Sequence, residues 1–386
     1  MTAMFGKLFR SNGAAILTPK LFFEYAIVRT GGSKSPYDTP MLSTMFHVVA
    51  FMARLGLFIA SYLRFRPVLW AVKFLSNASG RSRRYISALF DPNLIRYVRP
   101  NAVRSTKYMS TVGVLGVRYR VNVNDHIGWH IFAQGYFDLV PVALGLFFSR
   151  CFPGRTVLDV GGNIGSTSIP LAKSGIPVVG VEASAGVASE LTYNVALNSP
   201  IPYTVALFAA TSPERASQFE YLPLYSPFGN FAAGSLIEGW AGAKTDNRRS
   251  ELARVTTIDD LVSFLKVKSV AFVKLDIEGS EYEAIQGMRT LLTAMAPPIS
   301  FEWRPDVFAK ANVEVKNVVS ILPEGYRLFG IHALLDRDAI QIELEPYVDT
   351  SAYENVLAIS ERDIAQNELI KKLIQDLHAS IPLSGA

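Results

Sequence analysis

The stretch Val157-Leu158-Asp159-Val160-Gly161-Gly162-Asn163-Ile164-Gly165 runs from a short apolar strand directly into a glycine loop. Glycines there let the chain turn sharply and let a ligand approach the backbone. Around this stretch one arrangement repeats. TVLDV (156–160), PVVGVE (177–182), YTVALF (203–208), SVAFVKLDI (269–277) and PISFEW (298–303) read as strands. Ser166–Lys173, Ala185–Asn198, Thr257–Lys266 and Ser280–Met295 read as helices. Thr257 is the N-cap of its helix, with Asp260 three residues later in a capping-box-like arrangement. Continuously apolar strands alternating with helices predict an α/β fold, a doubly wound and mostly parallel sheet.

In such sheets ligands bind beyond the carboxyl ends of the strands. The residues there are Asp159–Gly165, Glu182–Ser184, Ala209–Thr211, Asp276–Gly279 and Glu302–Arg304, and four of these five places carry carboxylates. The amides after the glycines are expected to be free for a polar or anionic group. A dinucleotide fingerprint, G-x-G-x-x-G, needs a glycine where Val160 stands, which weakens a pyrophosphate reading. Glu182, ending the second strand, can accept hydrogen bonds from both hydroxyls of a ribose. Asp159 is placed to meet a cationic amino-acid moiety. A nucleoside that carries an amino acid and no phosphate is S-adenosylmethionine.

The pieces VLDVGGNIGSTSIPLA, GVEAS, VKLDIEGSEYEAIQGM, FEWRPDVF and YENVLAIS resemble the FkbM family of S-adenosylmethionine-dependent methyltransferases, over roughly Val112–Ser360. The resemblance implies a class I methyltransferase (Rossmann-like) fold. That is a seven-stranded sheet whose last hairpin, antiparallel, would fall near Tyr326–Ile331 and Ala339–Glu345. It implies O-methylation of hydroxyls on a saccharide, glycolipid or secondary metabolite. By motif position, Asp159, Gly161, Asn163, Gly165 and Glu182 would line the cofactor site, and Asp276 and Glu278 the acceptor side. An alcohol is a poor nucleophile, so a base helps. Asp276 is the first candidate for it, Glu278 the second and Glu302 the third. No metal site is assigned.

Outside this domain the chain changes character. Residues 1–120 hold 18 of the 38 Lys and Arg but 3 of the 33 Asp and Glu, so a basic module precedes an acidic one. Within it, residues 41–84 mix apolar runs with Arg54, Arg64, Arg66, Lys73, Arg81, Arg83 and Arg84 and contain no acid. That composition suits a buried helical pair or an anionic membrane surface, and Arg54 in mid-run disfavours a span. Nucleic-acid binding is disfavoured, because the cations fall among aliphatic runs rather than in a polar stripe.

The expected organisation is a basic, apolar, mostly helical region (1–110), the methyltransferase domain (111–360), and a C-terminal amphipathic helix and tail (361–386). Val112–Asn124 reads as a strand or hairpin, and Asp125–Asp138 as a helical turn or lid. His126 and His130, four apart, give only a weak metal signal. Ser212–Asn247, rich in glycine and aromatics, reads as a lid or acceptor pocket. The one cysteine, Cys151, excludes an internal disulfide. With 49% hydrophobic and 18% charged residues, a mostly disordered chain is excluded. The expected place is cytoplasmic, peripheral at the inner face of the membrane, with a small-molecule or glycan acceptor and a homo-oligomer among the partners. Two other functions fit less well: a nucleotide-dependent oxidoreductase, and a non-catalytic membrane-docking module that retains the fold.

Overall fold

The computed structural model describes residues 108–382, apart from 124, 228–233, 239–247, 304, 311, 337–338 and 349–354. The expected membrane contact (41–84), Arg304, and Phe228, Phe231 and Trp240 of the insertion lie outside the described residues. Contacts divide the chain into two units, Met1–Met109 with Asn122–Gly135, and Ser110–Val121 with Tyr136–Ala386. Among the described residues no helix is long and apolar enough to cross a membrane.

A ribbon of two strands, β1 (Tyr108–Val112) and β2 (Arg118–Asn122), opens the described chain. In the first unit, α1 (His126–Gln134) begins at Asp125, whose carboxylate accepts the amide hydrogens of Ile127 and Gly128. His126 and His130 meet edge to face, ring centroids 4.6 Å apart. Among the described residues no group of three or more His, Cys, Asp and Glu is arranged to hold a metal ion.

The second unit continues with α2 (Val140–Cys151), β3 (Thr156–Val160), α3 (Ser168–Lys173), β4 (Val178–Glu182), α4 (Ala185–Leu197) and β5 (Tyr203–Leu207). Then come β6 (Ala209–Ala210), α5 (Pro213–Gln218), β7 (Tyr221–Pro227), β8 (Arg248–Thr256), α6 (Ile258–Phe264) and β9 (Val270–Leu275). The last part holds α7 (Glu281–Gln286), α8 (Arg289–Met295), β10 (Ile299–Glu302), α9 (Pro305–Lys310), α10 (Val315–Ser320), β11 (Tyr326–Asp336) and β12 (Ala339–Pro346). It ends with β13 (Asn355–Ser360), α11 (Glu361–Gln366), α12 (Glu368–Asp376) and β14 (His378–Pro382).

The main sheet has nine strands in the order β14-β12-β11-β13-β10-β9-β3-β4-β5. β5, β4, β3, β9 and β10 are parallel neighbours, and β13 runs antiparallel between β10 and β11. The expected antiparallel hairpin is present as β11 and β12, but the sheet has nine strands rather than seven. The strand beside β10 is 355–360, whereas 339–346 pairs with the outer side of β11, and β14 adds to it. Every residue of β9 is buried, as a central parallel strand requires.

Side chains alternate across the sheet. Leu158, Val160, Val273, Leu275 and Phe301 face a core completed by Ile258, Leu261, Ile285 and Leu291 from α6, α7 and α8. Val157, Phe272 and Leu357 face the other core, with Leu144 and Phe148 of α2, Leu171 of α3, and Ile370 and Leu373 of α12. The Phe148 and Phe272 rings stack at 5.5 Å. Each fully buried side chain of this size contributes about 1.5–3 kcal/mol.

Two predicted helices are broken. Ser280–Met295 divides at Gly287, where a β-carbon would come within 2.2 Å of the Thr211 carbonyl oxygen. Asp259 then accepts the amide hydrogens of Thr290 and Leu291 at 2.8 Å and starts α8 from a neighbouring helix. The C-terminal stretch is not one amphipathic helix. Asn367 takes the amides of Leu369 and Ile370 and starts α12, and the chain then reverses at Leu377 into β14. The expected Thr257 cap is present: its hydroxyl oxygen accepts the Asp260 amide at 3.0 Å.

The insertion after the third strand is more regular than expected. β7 pairs antiparallel with β8, and β6 runs parallel to β8. Leu222, Leu224, Leu236, Ala253 and Val255 form a small core of their own.

Candidate active site

The glycine loop follows β3, the central strand flanked by β4 and β9. Gly161 has φ +86°, and a β-carbon there would lie 1.9 Å from the Asp276 carbonyl oxygen. Only glycine permits both this backbone conformation and this approach. The Asp276 amide in turn donates to the Val160 carbonyl at 3.0 Å. The loop and the end of β9 are thus one packed unit of backbone.

Every loop amide from Gly161 to Gly165 is used within the protein. Gly161 and Gly162 both donate to the Val181 carbonyl, at 2.9 and 2.8 Å. The Asn163 amide donates to Glu182 at 3.0 Å, the Ile164 amide to the Asn163 side chain at 2.7 Å, and the Gly165 amide to the Gly162 carbonyl at 2.9 Å. These five amides are therefore taken, and the helix-start amides of Ser166–Ser168, to which the expectation applies, are not among them. A pyrophosphate meets no donor in Gly161–Gly165. A phosphate-free nucleoside fits it.

The β2 ribbon braces the same loop. The Arg118 and Arg120 amides donate to Asn198 and Asn194 beside and on α4, both at 2.9 Å. Alternate strand residues and helix residues four apart are both spaced by about 6–7 Å, so the two ladders match. The Asn194 amide group also reaches the Ile164 carbonyl at 3.1 Å, and the Tyr119 hydroxyl reaches that of Gly165 at 3.3 Å.

Glu182 is half-buried at the end of β4. One oxygen accepts the Asn163 amide and the other the Ser184 amide, at 3.0 and 2.8 Å. A carboxylate has about four acceptor sites, so capacity remains for two ribose hydroxyls. Burial raises Glu182 to about 7, against the lowering effect of these amides and of Lys274. Glu281 is likewise raised to about 7 by burial, while accepting the Ile277 amide at 2.9 Å.

Both shifts are upward, so stability is greatest below the ordinary carboxylate range and is lost as pH rises through about 7. Affinity for a ribose runs the other way, because Glu182 needs its charge. The melting temperature of the free protein is expected to fall between pH 5 and 7.5. Its affinity for S-adenosylhomocysteine is expected to rise by up to about tenfold between pH 6 and 8. Thermal melts and calorimetry over that range check both signs; a flat affinity profile contradicts the role of Glu182.

Asp159 is fully buried and meets a cation of the protein itself. Lys274, opposite it in the β3–β9 ladder, lies 3.1 Å away. The same ammonium donates to the Gly161 carbonyl at 3.0 Å and lies 3.4 Å from Asp276. Burial disfavours the ammonium, but Asp159 and Asp276 outweigh that and hold Lys274 above its ordinary range. Asp276 faces outward, its side chain 42% exposed.

Two residues on, Glu278 takes φ +55°, and its carbonyl accepts the Ser235 hydroxyl at 2.8 Å. Gly279 follows at φ +99°, where a β-carbon would lie 2.9 Å from Ile237 and 2.3 Å from Val307. The insertion is therefore fastened to this turn. Glu283 does not face the turn; it holds Arg215 at 2.7 Å and the Thr211 hydroxyl at 2.7 Å.

The structure gathers Asp159, Gly161 and Asp276 around Lys274 and pairs Asn163 with Glu182, with Gly165 and Glu278 in the same two loops. Sequence reading missed Lys274 and Ser235. A lone lysine in the otherwise apolar strand VAFVKL is the signal for the first, since a buried cation demands a buried acid. A cleft of about 480 Å³ is lined by Arg155, Ser269, Arg362 and Asp363 at the opposite, amino ends of the strands. It lies away from every motif residue.

The five parallel strands, the glycine loop after the central one and the carboxylate at the end of β4 are arranged as in a class I, Rossmann-like methyltransferase fold. Residues 159–328 match the family model for the methyltransferase FkbM domain, a span that holds the glycine loop, Glu182, Lys274 and Asp276. Over that span, which is less than half of the chain, the sequence is similar to the methyltransferase FkbM domain.

No curated protein matches the chain. Among solved structures it is similar to methyltransferase FkbM from Methylobacillus flagellatus KT, at 17% identity over 55% of this chain and 47% of that one, TM-score 0.30. It is also similar to the Pyrococcus abyssi tRNA (uracil-54, C5)-methyltransferase in complex with S-adenosyl-L-homocysteine, at 16% identity over 66% and 44%, TM-score 0.34. A third is magnesium protoporphyrin IX methyltransferase from Synechocystis PCC 6803 with bound SAM, at 17% over 57% and 76%, TM-score 0.29. The chain spans less than half the length of the first two.

Proposed function

We propose that the chain transfers a methyl group from S-adenosylmethionine to a hydroxyl oxygen of a saccharide, glycolipid or related hydroxylated metabolite. The observation that carries this reading is the outward-facing Asp276 carboxylate, fixed at one oxygen and packed against the cofactor loop. Glu182 would hold the ribose, and the Gly161–Gly165 loop would lie along the nucleoside. Bound there, S-adenosylmethionine supplies an electrophilic methyl group.

The chain's own residues do the rest. Asp276 accepts the proton of the acceptor hydroxyl, a contribution of roughly 10²–10⁴-fold. Lys274 holds its other oxygen, so the carboxylate keeps one orientation. Alignment of the acceptor can contribute about 7–11 kcal/mol more. The 234–238 segment, fastened to Glu278 and Gly279 by Ser235 and Ile237, forms a wall on the acceptor side. The cations among apolar runs in 41–84 support a lipid-linked acceptor at an anionic inner-membrane face.

The test is transfer of labelled methyl from S-adenosylmethionine to a panel of saccharides, glycolipids, amines and thiols. Label in alkali-stable ether linkage on a hydroxylated acceptor is expected. Label on amines or thiols alone would overturn the reading.

A further inference from the structure

We propose that Lys274 is a positioning residue that locks the cofactor loop and Asp276 into one unit, beyond serving as the counter-ion of Asp159. This deepens the methyltransferase reading and rests on it. An ammonium has three hydrogens. Around the Lys274 nitrogen stand three oxygens from two segments, the end of β3 with its loop and the end of β9: Asp159 Oδ1 at 3.1 Å, the Gly161 carbonyl at 3.0 Å and Asp276 Oδ2 at 3.4 Å. A counter-ion for Asp159 would need the first alone.

The burial is graded along the chain of charges. The Asp159, Lys274 and Asp276 side chains are 0%, 10% and 42% exposed. The cation therefore joins a fully buried acid, which anchors it, to an exposed acid, which faces the acceptor. Its hydrogen bond to Gly161 ties down the one loop carbonyl beside the backbone of Asp276. Moving the ammonium frees the loop and the carboxylate together.

Thermal melting and calorimetric titration with S-adenosylhomocysteine, on the full chain, separate the two roles. Lys274→Met strands the Asp159 carboxylate without its counter-ion, so the melting temperature falls, and affinity is expected to fall at least tenfold. The charge-balanced double variant Asp159→Asn/Lys274→Met removes the stranded charge. Its melting temperature is expected to return to within a few degrees of the wild type, while affinity stays at least tenfold weaker. Recovery of both in the double variant reduces Lys274 to a counter-ion and overturns the proposal.

Should neither variant fold, Lys274→Arg keeps the charge but offers a planar fork in place of three splayed donors. A melting temperature near the wild type with affinity at least fivefold weaker supports the proposal, and unchanged affinity overturns it. A wild-type chain that binds no S-adenosylhomocysteine refutes the cofactor reading itself, and this proposal with it. That result is distinct from a wild type that binds and a double variant that recovers.

Discussion

Gly161→Ala is expected to abolish S-adenosylhomocysteine binding, while Gly162→Ala leaves it within about threefold of the wild type. The two glycines are adjacent and chemically identical, so the contrast isolates geometry. At Gly161 a methyl group would stand 1.9 Å from the Asp276 carbonyl oxygen, and the backbone holds φ +86°. The backbone strain costs about 1–2 kcal/mol, and the overlap about 1–3 kcal/mol. Both fall on the contact between the loop and the end of β9, which cannot part without displacing Lys274. At Gly162 the nearest atoms to a β-carbon are 3.6 Å away, an ordinary contact. Melting temperature should fall by about 5–10 °C in the first variant and little in the second. Wild-type affinity in a folded Gly161→Ala protein would show that the loop's approach to Asp276 has no part in holding the cofactor.

Asp276→Asn is expected to slow methyl transfer by about 10²–10⁴-fold, with affinity for S-adenosylhomocysteine within about threefold of the wild type. The substitution keeps an oxygen for Lys274 to hold, so the loop should stay in place. What it removes is an acceptor for the hydroxyl proton. The split between rate and affinity is the diagnostic: a loss confined to the chemical step points to a group acting on the acceptor. The measurement uses the acceptor returned by the labelled-methyl screen. Full turnover in the variant would transfer the role of base to Glu278 or Glu302.

The parts of the fold legible in the sequence were mostly those whose burial is nearly complete; β5, an edge strand with Thr204 and Leu207 exposed, was legible from its apolar run alone. β3, β4, β9 and β10 fall within two residues of the apolar runs, because buried parallel strands leave no room for alternation. β7 and β8 were missed: each shows one face to solvent, with Tyr221 and Leu252 exposed, and β7 is interrupted by Pro223 and Pro227. The breaks at Gly287 and Asn367 were hidden for another reason. Both depend on groups distant in sequence, the Thr211 carbonyl against Gly287 and the Cys151 carbonyl that takes the Asn367 amide group at 3.0 Å. A helical period shows which residues share a face, and not where a remote partner ends the helix.

The site was legible as motifs at strand ends and less so as chemistry. Asp159 reads as meeting a cationic amino-acid moiety of the cofactor; instead it is fully buried and paired with Lys274, across a ladder that only the register reveals. The amides that read as free are those of the helix start; the five before it, Gly161–Gly165, are taken. Here the Val181 carbonyl and the Glu182 carboxylate, both at the end of the neighbouring strand, occupy three of the five.

The most direct test of the central claim is calorimetric titration of the full chain with S-adenosylmethionine, S-adenosylhomocysteine and NADH. The account predicts micromolar binding of the first two, lost in Glu182→Ala, and no binding of NADH. Binding of NADH by a protein that ignores S-adenosylhomocysteine would contradict it.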